Sequence, residues 1–145
     1  MQKGEKEQNL DILLKALDNS NNESLMDLTT KKIKQINLNI LKELHLPRDV
    51  TLTYIKKLNG YKYVDEINDI KCGTFIKWIP ITDPAYLPLN TGGVICNVKI
   101  QDNVIITCKN FMHKHYQIKM EECLIFQKLT NQELVLLSAL DHLAK

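Results

Sequence analysis

The chain has 145 residues and a formal net charge of +2, which is length enough for one domain with a real core and too little charge for a global pull toward nucleic acid or membrane. Residues 1–70 balance 11 basic against 11 acidic side chains, so residues 71–145, with 8 against 6, carry the whole surplus. No apolar run approaches the roughly 20 residues that span a bilayer, and the polar start of the chain argues against a signal peptide.

Residues 1–9 are polar and read as a frayed end. From about Glu5 to Leu17, Leu10, Leu13, Leu14 and Leu17 fall on one helical stripe. Asn19-Ser20-Asn21-Asn22 closes that helix as a loop. Ser24 with Asp27 has the spacing of a capping box. The helix it would open carries Ile33, Ile36, Ile40, Leu41 and Leu44, and Pro47 stops it, because proline cannot continue the backbone hydrogen bonding. Asp49 is placed to cap a short helix running through Leu58, with Gly60 as its stop. Tyr61 to Ile70 follows as a linker or short helix.

The stretch from Gly73 to Leu129 reads as four or five short strands. Thr74 to Pro80 is the first, rich in β-branched and aromatic residues. Pro80, Pro84 and Pro88 then break up a long loop to Thr91. Val94, Cys96, Val98 and Ile100 alternate on one face of the next strand, and Val104, Ile106 and Cys108 on its successor. A three-residue loop, Gln101 to Asn103, sets Ile100 opposite Val104, Val98 opposite Ile106 and Cys96 opposite Cys108. A two-residue loop would set apolar positions against mixed ones. Asn103 tolerates the left-handed conformation that such a loop often ends on. Gly92 and Gly93 read as a bulge or a tight approach into this hairpin. Phe111 to His115 is a connection. Tyr116, Ile118 and Met120 alternate on another strand, and Leu124 to Leu129 is the last. Thr130 and Glu133 form a second capping box, opening a helix with Leu134, Leu137, Ala139, Leu140 and Leu143.

This order predicts an α+β fold. Residues 1–70 form a helical N-terminal portion packed on a small antiparallel SH3-like β barrel, residues 71–145 supply that barrel and a C-terminal helix, and the whole is one globular unit. An open meander gives the same string, but a barrel closes its own edges.

No residue set carries a catalytic signature. Cys108, His113, His115 and Cys123 could supply nitrogen and sulfur to zinc. They lack the close cysteine pairs of structural sites, so two buried thiols and two loop histidines is the better account. The remaining cysteines, Cys72 and Cys96, form no C-x-x-C pair with these. Free thiols at strand positions suit a reducing compartment. Asp65-Glu66 and Glu121-Glu122 are sequence neighbours that point to opposite faces. Thr91-Gly92-Gly93 lacks the Lys-Ser/Thr of a phosphate loop. No cofactor and no metal is expected.

Two binding readings remain. Trp78, with Pro84 and Tyr86 on the loop after it, supplies the residue types that anchor protein interfaces, and SH3-like barrels commonly bind partners beside such a loop. Alternatively, Lys77, Lys99, Lys109 and Lys119 at outward strand positions could neutralise phosphates. So could the basic helix pair around Pro47, with Lys31, Lys32, Lys34, Lys42, Arg48, Lys56 and Lys57, although Glu43 and Asp49 are interspersed.

Leu58 to Ile67, Gly73 to Ile79, Gly92 to Cys96 and Leu124 to Thr130, in that order, resemble a group of small uncharacterised proteins of nucleocytoplasmic large DNA viruses. The resemblance spans roughly residues 30 to 143. It implies a viral origin and a host-cytoplasm or virion setting, and transfers no functional residue. The expectation is therefore a non-enzymatic protein-interaction or structural module of a large DNA virus, with another protein, a viral one by this resemblance, as partner. The alternative is a nucleic-acid-binding accessory protein.

Overall fold

In the computed structural model, which describes residues 28–143, the chain is α+β, with three helices and one six-stranded antiparallel sheet among the described residues. The helix expected over Glu5 to Leu17 and the Ser24/Asp27 box lie outside the described residues. The described residues fall into two compact units, 28–35 with 129–143, and 36–128.

Thr29 opens helix α1 (Thr30–Lys42), which starts in the first unit and from Ile36 belongs to the second, its hydroxyl accepting the Lys32 N–H at 3.2 Å. The C-terminal helix here called α3 (Asn131–Leu143) begins on the expected reciprocal cap. The Thr130 N–H donates to Glu133 Oε1 at 2.9 Å, and the Glu133 N–H to Thr130 Oγ1 at 3.2 Å. Ile33 packs with Leu129, Leu136 and Leu137. Leu134 and Leu143, expected on the apolar stripe, are exposed. The buried stripe runs through Glu133, Leu136 and Leu137 instead, because Leu137 and the cap residue Glu133 are four apart and share a helical face.

The second unit holds the sheet. Helix α2 (Arg48–Lys57) starts after Pro47, which stands at its N-cap, so Asp49 lies within the first turn rather than capping it. Gly60, at φ 82, makes the expected stop. The next residues form a strand, β1 (Tyr61–Val64), where a linker or helix was expected. It pairs with β6 (Cys123–Lys128). The order across the sheet is β1, β6, β2 (Phe75–Pro80), β3 (Asn90–Ile100), β4 (Val104–Lys109), β5 (His115–Lys119).

The strands do not close into an SH3-like barrel, since β1 and β5 stand at the two ends of the pairing order. An amide side chain occupies the place a closing strand would take along β1. Buried Asn37 of α1 donates from Nδ2 to the Tyr61 carbonyl at 2.9 Å and accepts the Tyr63 N–H at 3.1 Å. It satisfies edge groups that a neighbouring strand would otherwise bind. A second buried amide, Gln127, accepts from the Lys71 N–H at 2.8 Å and donates to the Asp69 carbonyl at 2.9 Å, pinning the loop before β2.

Each face of the sheet has its own core. On one, Leu41, Leu58, Ile79 and Phe126 bury one another under the helical residues, with Tyr61 and Tyr63 at the margin. On the other, Ile76, Trp78, Ile95, Ile106, Cys108, Ile118 and Ile125 come from five strands and from no helix. Sheets twist, and Ile70 and Met120 from outside the strands also pack against this core.

Two bulges on β3 help the curl. Ile76 pairs with Gly93 and Lys77 with Thr91, leaving Gly92 as the extra residue. This is the glycine-dependent approach read from the sequence. The other bulge alters the hairpin. Ile100 faces Val104 and Val98 faces Ile106 as expected, but the register then shifts, and Cys108 faces Ile95 rather than Cys96. Cys96 turns out to solvent while Cys108 stays buried. Asn103 keeps a negative φ, since His45 and His113 are the non-glycine positions with positive φ among the described residues.

Burial pushes the Cys108 thiol up to about 12, with Cys96 and Cys123 adding, and the Cys123 thiol up to about 11, with Glu122 adding. At about pH 8, a thiol-reactive aromatic disulfide is expected to modify Cys72 and Cys96 in the native protein and to reach Cys108 and Cys123 only in denaturant. Four native thiols reacting together would contradict this placement. Both folded values lie above the ordinary 9.0, so the neutral thiols stabilise the fold fully below about pH 9 and that contribution is lost as pH rises toward 11 to 12.

Candidate functional site

The turn between β4 and β5 is tied by one side chain. Asn110 Oδ1 accepts the N–H groups of Met112 at 2.9 Å and Lys114 at 3.0 Å, and the Asn110 N–H donates to the Lys114 carbonyl at 3.0 Å. This asparagine-built turn holds His113 at φ 62. It presents Phe111 and Met112 to solvent, 91% and 61% exposed.

Beside Phe111 lies an open groove of about 360 Å³, lined by Trp78, Asn90, Thr91, Asn110, Phe111 and Tyr116. Trp78 and Asn90 are cross-strand partners on β2 and β3. The Tyr116 ring comes from β5 and lies 5.3 Å from the Trp78 ring, centroid to centroid, at an interplanar angle of 35°. Gly93 makes room for it, since a Cβ there would stand 2.7 Å from the Tyr116 hydroxyl and 2.6 Å from the Lys109 carbonyl. Burial raises the Tyr116 phenol above its ordinary range, with Cys108 adding, so it stays an O–H group.

Trp78 is only 8% exposed. Among the described residues its indole N–H has no hydrogen-bond partner, yet no buried side-chain donor or acceptor is left unsatisfied. The N–H therefore reaches the surface, and Trp78 is among the residues that line the groove. The Asn90 amide, also on the groove, likewise has no partner among the described residues.

Trp78 is thus a core residue that also lines the groove. Pro84 and Tyr86 lie elsewhere, exposed on the loop between β2 and β3, with Tyr86 70% exposed. That loop is held by Tyr54, whose hydroxyl donates to the Leu87 carbonyl at 2.8 Å and accepts the Leu89 N–H at 3.2 Å. The groove instead joins Trp78 to Tyr116, Phe111 and Asn90, none of which the sequence singled out as binding residues. The available signal was Asn110, a turn-forming residue immediately before an isolated Phe-Met pair.

The lysines divide. Lys99 and Lys119 both face Ile105 from opposite sides, and Lys109 faces Val94 and His115. Ile105 and Lys109 are four apart on one strand, so all three lysines share a face. Lys99 and Lys119 are exposed, and Lys119 stands 4.0 Å from Glu122. Lys77 is engaged elsewhere. Its ammonium donates to the Lys57 carbonyl at the end of α2 at 2.7 Å and sits 4.6 Å from the Tyr61 ring centroid. Desolvation first, then Lys57 and Lys128, lower its pKa. The basic residues around Pro47 are exposed on α1 and α2.

Among the described residues, no three His, Cys, Asp or Glu side chains come together as a metal site requires. No helix among them is long and apolar enough to cross a membrane. The chain matches no protein-family model, no curated protein and no solved structure.

Proposed function

We propose that this chain is a non-enzymatic protein-interaction module of a large DNA virus, acting in the host cytoplasm or the virion, and that it receives a protein partner in the groove of Trp78, Tyr116 and Phe111. The viral setting rests on the sequence resemblance. The groove is supported by one observation above others: a side-chain-braced turn holds Phe111 in water beside a nearly buried tryptophan whose N–H has no partner among the described residues. Aromatic anchors in a preformed concavity are where interface energy concentrates.

The test is selection of a displayed library of random 12-residue peptides on the immobilised protein. Enriched peptides are expected to bind the native chain and to lose about tenfold in affinity for Phe111→Ala. Its thermal midpoint should be unchanged, because the side chain packs on little. No enrichment, or peptides indifferent to Phe111, would dismiss the reading.

A second reading, a nucleic-acid-binding accessory protein, has its own support in Lys99, Lys109 and Lys119 on one sheet face. It requires retention of a single-stranded oligonucleotide that fades as salt rises and is lost in Lys99→Glu. The same immobilised protein serves for that measurement.

A further inference from the structure

We infer that the outer edge of β5 takes an extended peptide segment, alternating carboxylate with apolar residues, which adds to the sheet as a further strand. This surface is distinct from the groove, and the inference does not rest on the groove.

The hydrogen-bond phase of β4 and β5 determines what the edge offers. Lys109 faces His115, and one step further the Asn110 N–H donates to the Lys114 carbonyl at 3.0 Å. Bonded pairs recur at every second position of an antiparallel ladder, so Cys108 bonds with Tyr116 and Ile106 with Ile118. His115, Gln117 and Lys119 therefore aim their N–H and C=O groups away from β4. β5 ends the strand order, and among the described residues nothing bonds those outward groups. The opposite edge differs, because Asn37 occupies backbone groups of β1. A bare row of backbone donors and acceptors is a template for strand addition.

The side chains set the ligand's pattern. Added residues opposite His115, Gln117 and Lys119 lie on the face of those side chains. That face carries Lys99, Lys109 and Lys119, and β3, β4 and β5 contain no acidic residue. The nearest carboxylates along the chain, Glu121 and Glu122, follow β5 on the 3-10 turn Met120–Glu122. Glu122 holds Lys119 loosely, at 4.0 Å with both side chains half-exposed, so a second carboxylate can share it. Added residues opposite Tyr116 and Ile118 lie on the other face, where Ile118 belongs to the strand-built core and Tyr116 packs against it. Alternate carboxylates thus meet lysines, and the apolar residues between them extend the core. A second β5 is the wrong occupant, since it would set two lysine-bearing faces side by side.

The probe is the peptide Glu-Val-Glu-Val-Glu, acetylated and amidated, followed by exchange of individual amide hydrogens and by titration. In the free protein the His115, Gln117 and Lys119 amides are expected to exchange at least about tenfold faster than those of Tyr116 and Ile118, and saturating peptide should slow the same three about tenfold. Methylating the backbone nitrogen of the central glutamate removes a donor aimed at β5 and should weaken binding about tenfold or more. Methylating a valine nitrogen, which points away from β5, should change it less than about threefold. Lys119→Glu should weaken binding about three- to tenfold. Slow exchange of the three amides in the free protein, as a covering segment or a second copy would give, overturns the inference. So does a peptide that never saturates, or a central N-methyl group without effect. Equally tight binding of Glu-Glu-Glu-Val-Val overturns it too, because that marks a plain polyanion site of the kind a nucleic acid would use.

Discussion

Replacing Gly92 by alanine is expected to destabilise the protein by about 3 kcal/mol or more, lowering the thermal midpoint by roughly 10 °C. Gly92 is the extra residue of the bulge between β2 and β3, and a Cβ on it would overlap the carbonyl oxygen of Ile76. The obstructing atoms are backbone and cannot swing aside. Ile76 is itself fully buried within the strand-built core. The chain must open the β2–β3 ladder or distort both strands, and either disturbs the core beneath. Gly60 and Gly73 offer a contrast. A Cβ at either meets nothing within 4 Å, and the only penalty is their positive φ of 82 and 87, worth about 1 kcal/mol. Calorimetry on the three alanine variants should therefore rank Gly92 well apart from the other two. A Gly92→Ala protein as stable as either of them would show that the bulge is not built as described.

Trp78→Ala is expected to cost about 3–5 kcal/mol, which in urea appears as a lower midpoint with little change in slope. The indole packs among Ile76, Ile95, Ile106, Cys108, Ile118 and Ile125 and stacks on Tyr116. Its removal leaves a cavity in a core built from strands, to which no α-helix among the described residues contributes. Any loss of binding in this variant would therefore confound site and scaffold. Phe111→Ala isolates the surface contribution, since Phe111 is almost wholly exposed. A Trp78→Ala protein that keeps native stability would place the indole outside the core.

Much of the local structure was legible because the signals are local. The Thr130/Glu133 cap is made by two side chains three residues apart. Gly60 stops its helix through its own backbone freedom. The loop from Gln101 to Asn103 sets Ile100 against Val104 by chain connectivity. What went unread is non-local or breaks a period. The bulge at Cys96 resets the two-residue alternation, so a thiol expected inside faces water and Ile95 takes its place. Tyr61 to Val64 is a short segment whose status as a strand depends on β6, more than 50 residues away.

The amino-acid sequence alone determined the α+β class, the breaks at Pro47 and Gly60, the strand-rich half and the capped final helix. Each is set by a few neighbouring residues and the steric limits of their backbones. Tertiary structure decided that the sheet stays open, with Asn37 standing where a closing strand would pair. It also decided that Trp78 meets Tyr116 and Phe111 rather than Pro84 and Tyr86. The reason is that strand order and register, which the curl and the two bulges of β3 enforce, bring together side chains that no spacing along the chain connects.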